Sequence, residues 1–338
     1  MRLRTAIFPV LLLASACNDD KPKTESRPAA SAEPIPSDLV YNSFMDDKSA
    51  AAKVVVATDG GVASAADAGA AQTGSTAKLV DPGADPKAPL FYTFSTKTRT
   101  VSANITMTAT GAGAAAQDQP PLHFVFTATP KPKGMIGGTA IIDIKVTKFD
   151  VTLPPGMPPQ AAAQKEQLEK SLVGFTGHFD ATSHGDIENI DFETDKAAQG
   201  AGEIVGVLQQ ALEFLVIPLP NEPVGIGAKW TKVESKRLAD QGATVSSNVT
   251  LTLQSRDKDT ATIKVDATSS GTLAINDPRA PKGSVMDRKT TASFTVIARL
   301  DGVSQKVDGE AKSDITQKVP GQPDQSMTVK VAQHIDSK

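Results

Sequence analysis

From Leu90 to the chain end, apolar and polar residues alternate almost one for one, and few folds accept such a pattern. Leu90, Tyr92 and Phe94 alternate with polar neighbours, as do Val101, Ala103, Ile105, Met107 and Ala109. The same rhythm returns at Phe124–Ala128, at Ala140–Val146, at Val249–Leu253 and at Ile263–Ala267. It returns again at Ala292–Leu300 and at Met327–Val331, with Ile335 beyond. A period of two sends successive side chains to opposite faces, so each run predicts a strand with one buried and one wet face. Many such strands imply an antiparallel sheet. Turn signals separate the runs: Gly111-Ala112-Gly113, Arg256-Asp257-Lys258-Asp259 and Asp301-Gly302. Asp-Gly tolerates the positive φ of a tight hairpin.

Two segments depart from this period. Residues 158–172 carry Ala161, Lys165, Leu168 and Leu172 at helical spacing, with Gln164, Glu166, Gln167, Glu169 and Lys170 on the other face. In residues 196–215, Ala201, Ile204, Val205, Leu208, Ala211, Leu212 and Leu215 form a broad apolar stripe, ended by Pro218 and Pro220. The stripe needs a cover, and the apolar sheet face is the available one. The expected fold class is therefore α+β: a curved, half-barrel-like antiparallel sheet wrapped over one or two helices. A β-sandwich with helical decoration is the alternative. Residues 90–338 suit one domain, although two similar β–α halves also fit that length.

The N-terminus reads as an address. Arg2 and Arg4 precede an apolar run from Ala6 to Leu13, followed by Ala14-Ser15-Ala16-Cys17. The run is far shorter than the roughly 20 residues of a membrane-spanning helix, so residues 1–16 are expected to be a signal peptide. The small residues before Cys17 resemble the lipobox of bacterial lipoproteins, which implies a lipidated Cys17 anchoring the protein by acyl chains. Ala14-Ser15-Ala16 also fits an ordinary A-x-A secretion site. Cys17 is the chain's single cysteine, and Asn18-Asp19-Asp20 opens a polar stretch behind it. Residues 17–89 are rich in Ala, Ser, Pro and Asp and are expected to be a disordered tether. As a flexible coil it would reach ~45 Å. Leu39-Val40-Tyr41, Phe44-Met45 and Val54-Val55-Val56 are apolar islands within it, read as transient clusters or as docking segments.

Composition excludes several activities. One cysteine permits neither an internal disulfide framework nor a Cys-rich zinc site. With 35 Lys and Arg against 38 Asp and Glu, no basic face for nucleic acid is expected. The histidines are His123, His178, His184 and His334. His178 and His184, with Asp180, Asp186 and Glu188, are the nearest approach to a metal site, but the polar outward face of a hairpin is the favoured reading of them. Nucleophile-elbow and phosphate-loop motifs are missing, and Gly200-Ala201-Gly202 does not follow a strand as a dinucleotide fingerprint requires. Asp143/Asp150 and Asp257/Asp259 read as turn and surface carboxylates. No catalytic residue, metal or cofactor is expected.

The segment Pro218-Leu219-Pro220-Asn221-Glu222-Pro223-Val224-Gly225-Ile226-Gly227-Ala228-Lys229-Trp230 resembles a signature of bacterial envelope lipoproteins of unknown function, the DUF6263-like group. That resemblance implies no enzyme activity. More weakly, the run from Gly177 to Phe192 is similar to hairpins of the LolA and LppX/LprG lipid carriers, which implies an apolar cavity between sheet and helix. The expected role is a non-enzymatic, membrane-anchored envelope lipoprotein that binds or carries a lipid or other apolar ligand. Ile204, Leu208, Leu212 and Trp230 are the candidate ligand contacts. For Trp230 the favoured reading is a core plug with its indole N–H paired. The alternative role is a structural or assembly lipoprotein acting through protein contacts. Cys17→Ser should move the protein from the membrane pellet to the soluble fraction. Detergent-free pelleting identical to wild type would remove the anchor.

Overall fold

The computed structural model describes residues 76–111, 115–133, 138–153, 159–192, 201–238, 243–275 and 281–338. The leader, Cys17, the tether up to residue 75 with its apolar islands, the Ala112-Gly113 turn and residues 193–200 lie outside the described residues.

In chain order the elements are β1 (Lys78–Asp81), β2 (Arg99–Gly111), β3 (Gln117–Asp118), β4 (Leu122–Lys133), β5 (Thr139–Val151), α1 (Pro159–Leu172), β6 (Thr176–Ala181), β7 (Ile187–Phe192) and α2 (Ala201–Leu212). Then come β8 (Lys229–Leu238), β9 (Ala243–Arg256), β10 (Thr260–Ala274), β11 (Val285–Arg299), β12 (Lys306–Lys318) and β13 (Gln325–Ser337). All thirteen strands described join one antiparallel sheet in the order β1-β8-β9-β10-β11-β12-β13-β2-β4-β5-β6-β7, with β3 beside β2. It consists of two meanders, β2 to β7 and β8 to β13, fused where β13 pairs with β2. Residues 201–228 lead into β8, the neighbour of the β1 edge, at the opposite end of the strand order from β7.

The fold is therefore mostly β, and the α+β expectation of a sheet wrapped over helices is overturned. Only two helices are described, of 14 and 12 residues. The single sheet excludes the sandwich as well. The expectation failed because the strands are longer than their apolar runs. Strands β9 to β13 have 13 to 15 residues each. They continue through Thr268-Ser269-Ser270 and Lys312-Ser313-Asp314, where polar residues hide the alternation. The sheet also takes in residues ahead of Leu90, because β1 pairs with β8.

Bulges bend the ladder between Val125 and Phe126 against β5, and between Thr262 and Ile263 against β9. An extra residue on one strand increases local twist and curls a sheet. The inner face so formed holds one large core. Phe124, Phe126, Ile142, Leu251, Ile263 and Val296 reach it from the strands. Ile204, Val205, Leu208 and Leu212 reach it from α2. Leu90, Tyr92 and Phe94 are buried there without belonging to a strand. Their backbone bonds alternate between turns instead: Tyr92 N donates to Ser183 O at 2.7 Å, and Thr93 N to Leu300 O at 2.7 Å. Alternation predicted their burial correctly, but the partners are two loops.

Leu208 is fully buried within this cluster. Leu208→Ala should lower unfolding free energy by about 2–5 kcal/mol in urea titrations, the cost of an uncollapsed hole in a filled core. A loss below about 1 kcal/mol would show that the site is already partly empty.

Candidate functional site

Two places on the molecule gather polar chemistry: the seam where the sheet's edges meet, and an open band of its inner face.

The seam is built on the β6–β7 turn. Thr182 N donates to Asp186 O at 3.0 Å, and Asp186 N donates back to Thr182 Oγ1 at 3.1 Å. Gly185 has φ +78° in this turn, and a Cβ there would stand 2.0 Å from the Ile217 carbonyl oxygen. Only glycine fits such a turn. The Asp186 carboxylate is 5% exposed and reaches across to the opposite edge of the sheet. Thr76 N and Thr76 Oγ1 donate to it, at 3.1 and 2.5 Å, and Lys232 Nζ of β8 lies 3.3 Å away. Lys232 also pairs with Glu234 at 2.8 Å. Burial alone would lower the Lys232 pKa, but Glu234 and Asp186 together outweigh it and hold it above the ordinary lysine value.

The expected contact residues gather in the large core. Ile204, Leu208, Leu212 and Trp230 all belong to the large core, and each is almost fully buried. Trp230 Nε1 donates to Pro218 O at 2.8 Å. Tyr92 makes a similar hook: its hydroxyl accepts from Ile217 N at 3.0 Å and lies 3.4 Å from Ile217 O. Burial drives the Tyr92 pKa far above its usual value, so the phenol stays protonated.

The histidines are dispersed. His178 is exposed on β6, whereas His184 lies in the seam turn. His123 Nε2 is 3.0 Å from Ser102 Oγ. His334 sits on the outer face, with Asp308 at Nδ1 and Asp336 2.6 Å from Nε2. The hydrogen bond to Asp308 raises its pKa, burial partly opposes this, and Asp336 adds to the rise. Asp143 pairs with Lys131 and Asp150 with Lys165, so both are surface ion-pair carboxylates. Among the described residues no group of three or more His, Cys, Asp or Glu is placed to hold a metal ion.

The open band lies on the inner face of β9 to β13 along the margin of the large core, against which Ala292, Ala311 and Val331 pack. Register places Ala267, Ala292, Ala311 and Val331 in one row across β10 to β13. The next row reads Ser269, Thr290, Ser313 and Val329. Direct cross-strand partners share a face, so both rows look inward. Most of these residues stay half-exposed, between the large core and a second cluster of Leu273, Met286 and Ile315. Arg288 shares this inward phase. Its Nε donates to Thr290 Oγ1 at 3.0 Å and its Nη2 to Ser313 Oγ at 3.4 Å, so the guanidinium folds back over the hydroxyl row. Desolvation alone pulls its pKa below the usual arginine value, and an arginine remains charged throughout. At the core margin Gln333 is 7% exposed, and its Nε2 has no hydrogen-bond partner. Lys232, Arg288 and Gln333 escaped the sequence reading, although the parity of Met286, Arg288, Thr290, Ala292 and Phe294 along β11 already marked Arg288 as inward.

No family model matches the chain, and a comparison with curated proteins finds no match. Among solved structures the chain is similar to the outer membrane protein opdK from Pseudomonas aeruginosa, at 7% identity, over 72% of this chain and 99% of that one, with a TM-score of 0.18. A likeness of that size carries no argument. No described helix is long and apolar enough to cross a membrane. The outer face of the long strands bears Asp266, Lys312, Asp314 and Lys330. A lipid-facing barrel carries an apolar band there instead.

The seam has a direct test. Asp186→Ala leaves Lys232 and Thr76 without their shared acceptor. It should cost about 2–3 kcal/mol in urea titrations, as expected when a buried charged partner is removed. A loss under about 0.5 kcal/mol would mean that the edges are held without it.

Proposed function

We propose that this protein is a lipid-anchored, non-enzymatic envelope protein that binds an apolar ligand on the open band of its inner face. The observation that carries the reading is the half-exposed row Ala267, Ala292, Ala311 and Val331, which keeps accessible apolar surface although Ala292, Ala311 and Val331 pack along the margin of the large core. Apolar floors with a few convergent polar groups are the usual form of small-molecule sites. The band replaces the sheet–helix interface as the ligand's location, because Ile204, Leu208, Leu212 and Trp230 are already consumed by packing. The anchor at Cys17 would supply the membrane context, and the segment from Pro218 to Trp230 keeps its resemblance to envelope lipoproteins as support. The second reading, an assembly role through protein contacts, draws on Val80, Ile226 and Val233, which stand 62%, 48% and 71% exposed on or beside β1 and β8.

The two readings separate in a titration with the neutral probe N-phenyl-1-naphthylamine. Saturable fluorescence enhancement with micromolar affinity is expected from the folded protein. Ala311→Trp should abolish it by filling the band, while Val233→Ser should leave it unchanged. A folded protein giving no saturable signal would leave the assembly role.

A further inference from the structure

We propose that Lys53–Thr58, a segment of this chain ahead of the described residues, docks as a strand in the slot between the edges of β7 and β8. Every pairing from β8 round to β7 is antiparallel and their number is even, so these two strands run in the same sense. Both start from the Asp186 tie: β7 begins at Ile187, and the open part of β8 begins just after Lys232. A single strand running the other way meets either edge with an antiparallel ladder.

Among the described residues, β1 covers β8 only up to Thr231, and no strand lies outside β7. Residues 233–238 and 187–192 therefore present edges without a ladder among those residues. Such edges recruit a further strand through their main-chain groups. The side chains along the slot suit an apolar occupant. Ile187, Ile190 and Phe192 are half-buried against the large core, and Val233 stands 71% exposed on the outer face.

The occupant follows from where the chain enters. β1 runs antiparallel to β8, with Lys78 opposite Thr231, so its direction carried backward points up the slot. Thr76 N, donating to Asp186 at 3.1 Å, holds the chain at the slot's base. Asp59 to Ser75 contains no run of β-branched residues, and Val54-Val55-Val56 is the first such run ahead of Thr76. β-branched residues favour strands, and Lys53–Thr58 contains no proline. Three apolar residues in succession fit a strand covered on both faces. Val54 and Val56 turn toward Ile187, Ile190 and Phe192, and Val55 lies outward beside Val233. Residues 59–75, taken as a coil, span about 23 Å. The open stretch of β8 is about 20 Å long, so the connection returns to Thr76 without strain. So short a loop gives an effective concentration in the millimolar range, at which a weak edge contact suffices. Leu39-Val40-Tyr41 needs a longer loop and is disfavoured on that ground. Docking also shortens the tether, since residues 18–52 as a coil reach about 33 Å. The slot lies on other strands than the band, so this proposal and the ligand reading stand apart.

The test is hydrogen–deuterium exchange on the full chain carrying Cys17→Ser, with and without Val54→Ser, Val55→Ser and Val56→Ser together. Peptides covering residues 187–192 and 233–238 should exchange at least tenfold faster in the triple-serine variant. Those from β10 and β11 should exchange alike in both proteins, which reports that the variant folds. An excess of a synthetic peptide of residues 49–60 should restore slow exchange, and the same peptide with serine at the three valines should not. Fast exchange at the slot in both proteins would overturn the proposal. Faster exchange that the peptide fails to reverse would overturn it as well. Equally slow exchange in both would also overturn it and assign the cover to another part of the chain, or to a second copy if protection weakens on dilution.

Discussion

A single thirteen-stranded sheet has two edges to dispose of as well as a face to bury, and Asp186 is where its two ends are tied together. The carboxylate projects from the turn beyond β7's partner strand and takes donors from Thr76 and Lys232 at the far end of the strand order. Charge-assisted bonds of this sort are stronger than neutral ones, and burial makes their loss costly. The tie does by side chains what a closed barrel does by a ladder. It leaves the outer rim of β7 unladdered, yet fixes where that rim stands relative to β8.

With the ends fixed, the crossing segments can run through the interior without strand partners. Buried backbone groups must still be paired. Tyr92 N and Thr93 N find carbonyls in two different turns, while Leu219 N finds His184 O at 2.7 Å. The two aromatic residues with polar tips, Tyr92 and Trp230, use them on successive carbonyls of the same segment, Ile217 and Pro218. The proline-rich stretch after α2 is thus pinned from both sides, and its carbonyls are consumed in the pinning. Edge, crossing segment and core plug are one connected construction, which explains why Trp230 packs rather than lining an opening.

Part of this architecture is legible in the sequence. Strands β9, β10, β11 and β13 follow from parity, whereas β12 (Lys306–Lys318) went unread, and the helix over 158–172 follows from its spacing, since α1 spans Pro159–Leu172. Alternation reports burial of one face, however, and not the identity of a neighbour. That is why Leu90, Tyr92 and Phe94 read as a strand and turn out to be a buried crossing. The fold class failed for a related reason. Ser and Thr on inward positions of β10 to β12 erased the apolar signal while the ladder ran on, so the sheet was underestimated and the helices gained undue weight. The loop after β11 is also longer than Asp301-Gly302 suggested, since β12 begins at Lys306. Asp186 was visible only as a carboxylate near two histidines. Nothing local in the sequence announces a partner in Lys232.

The second hydrophobic cluster gives the open band its form. Strands as long as β10 to β13 would fray beyond the core if their far halves were polar on both faces, because exposed ladder bonds open readily. Leu273, Met286 and Ile315 prevent this by returning large apolar side chains to the inner face, with Met327 and Val329 against them. The strands are therefore held at two points along their length, and the small residues lie in the span between. An alanine or serine row at a free tip would be a weak end of a sheet. The same row between two anchored clusters is held stiff, with Ala292, Ala311 and Val331 packed against the large core and the ladder fixing the strand spacing at about 4.8 Å. Arg288 stands at the join between that row and the far cluster, with Ile315 as its cross-strand partner. Its head turns back toward the hydroxyls of Thr290 and Ser313. The hydroxyl row and the ladder register together fix where the guanidinium stands.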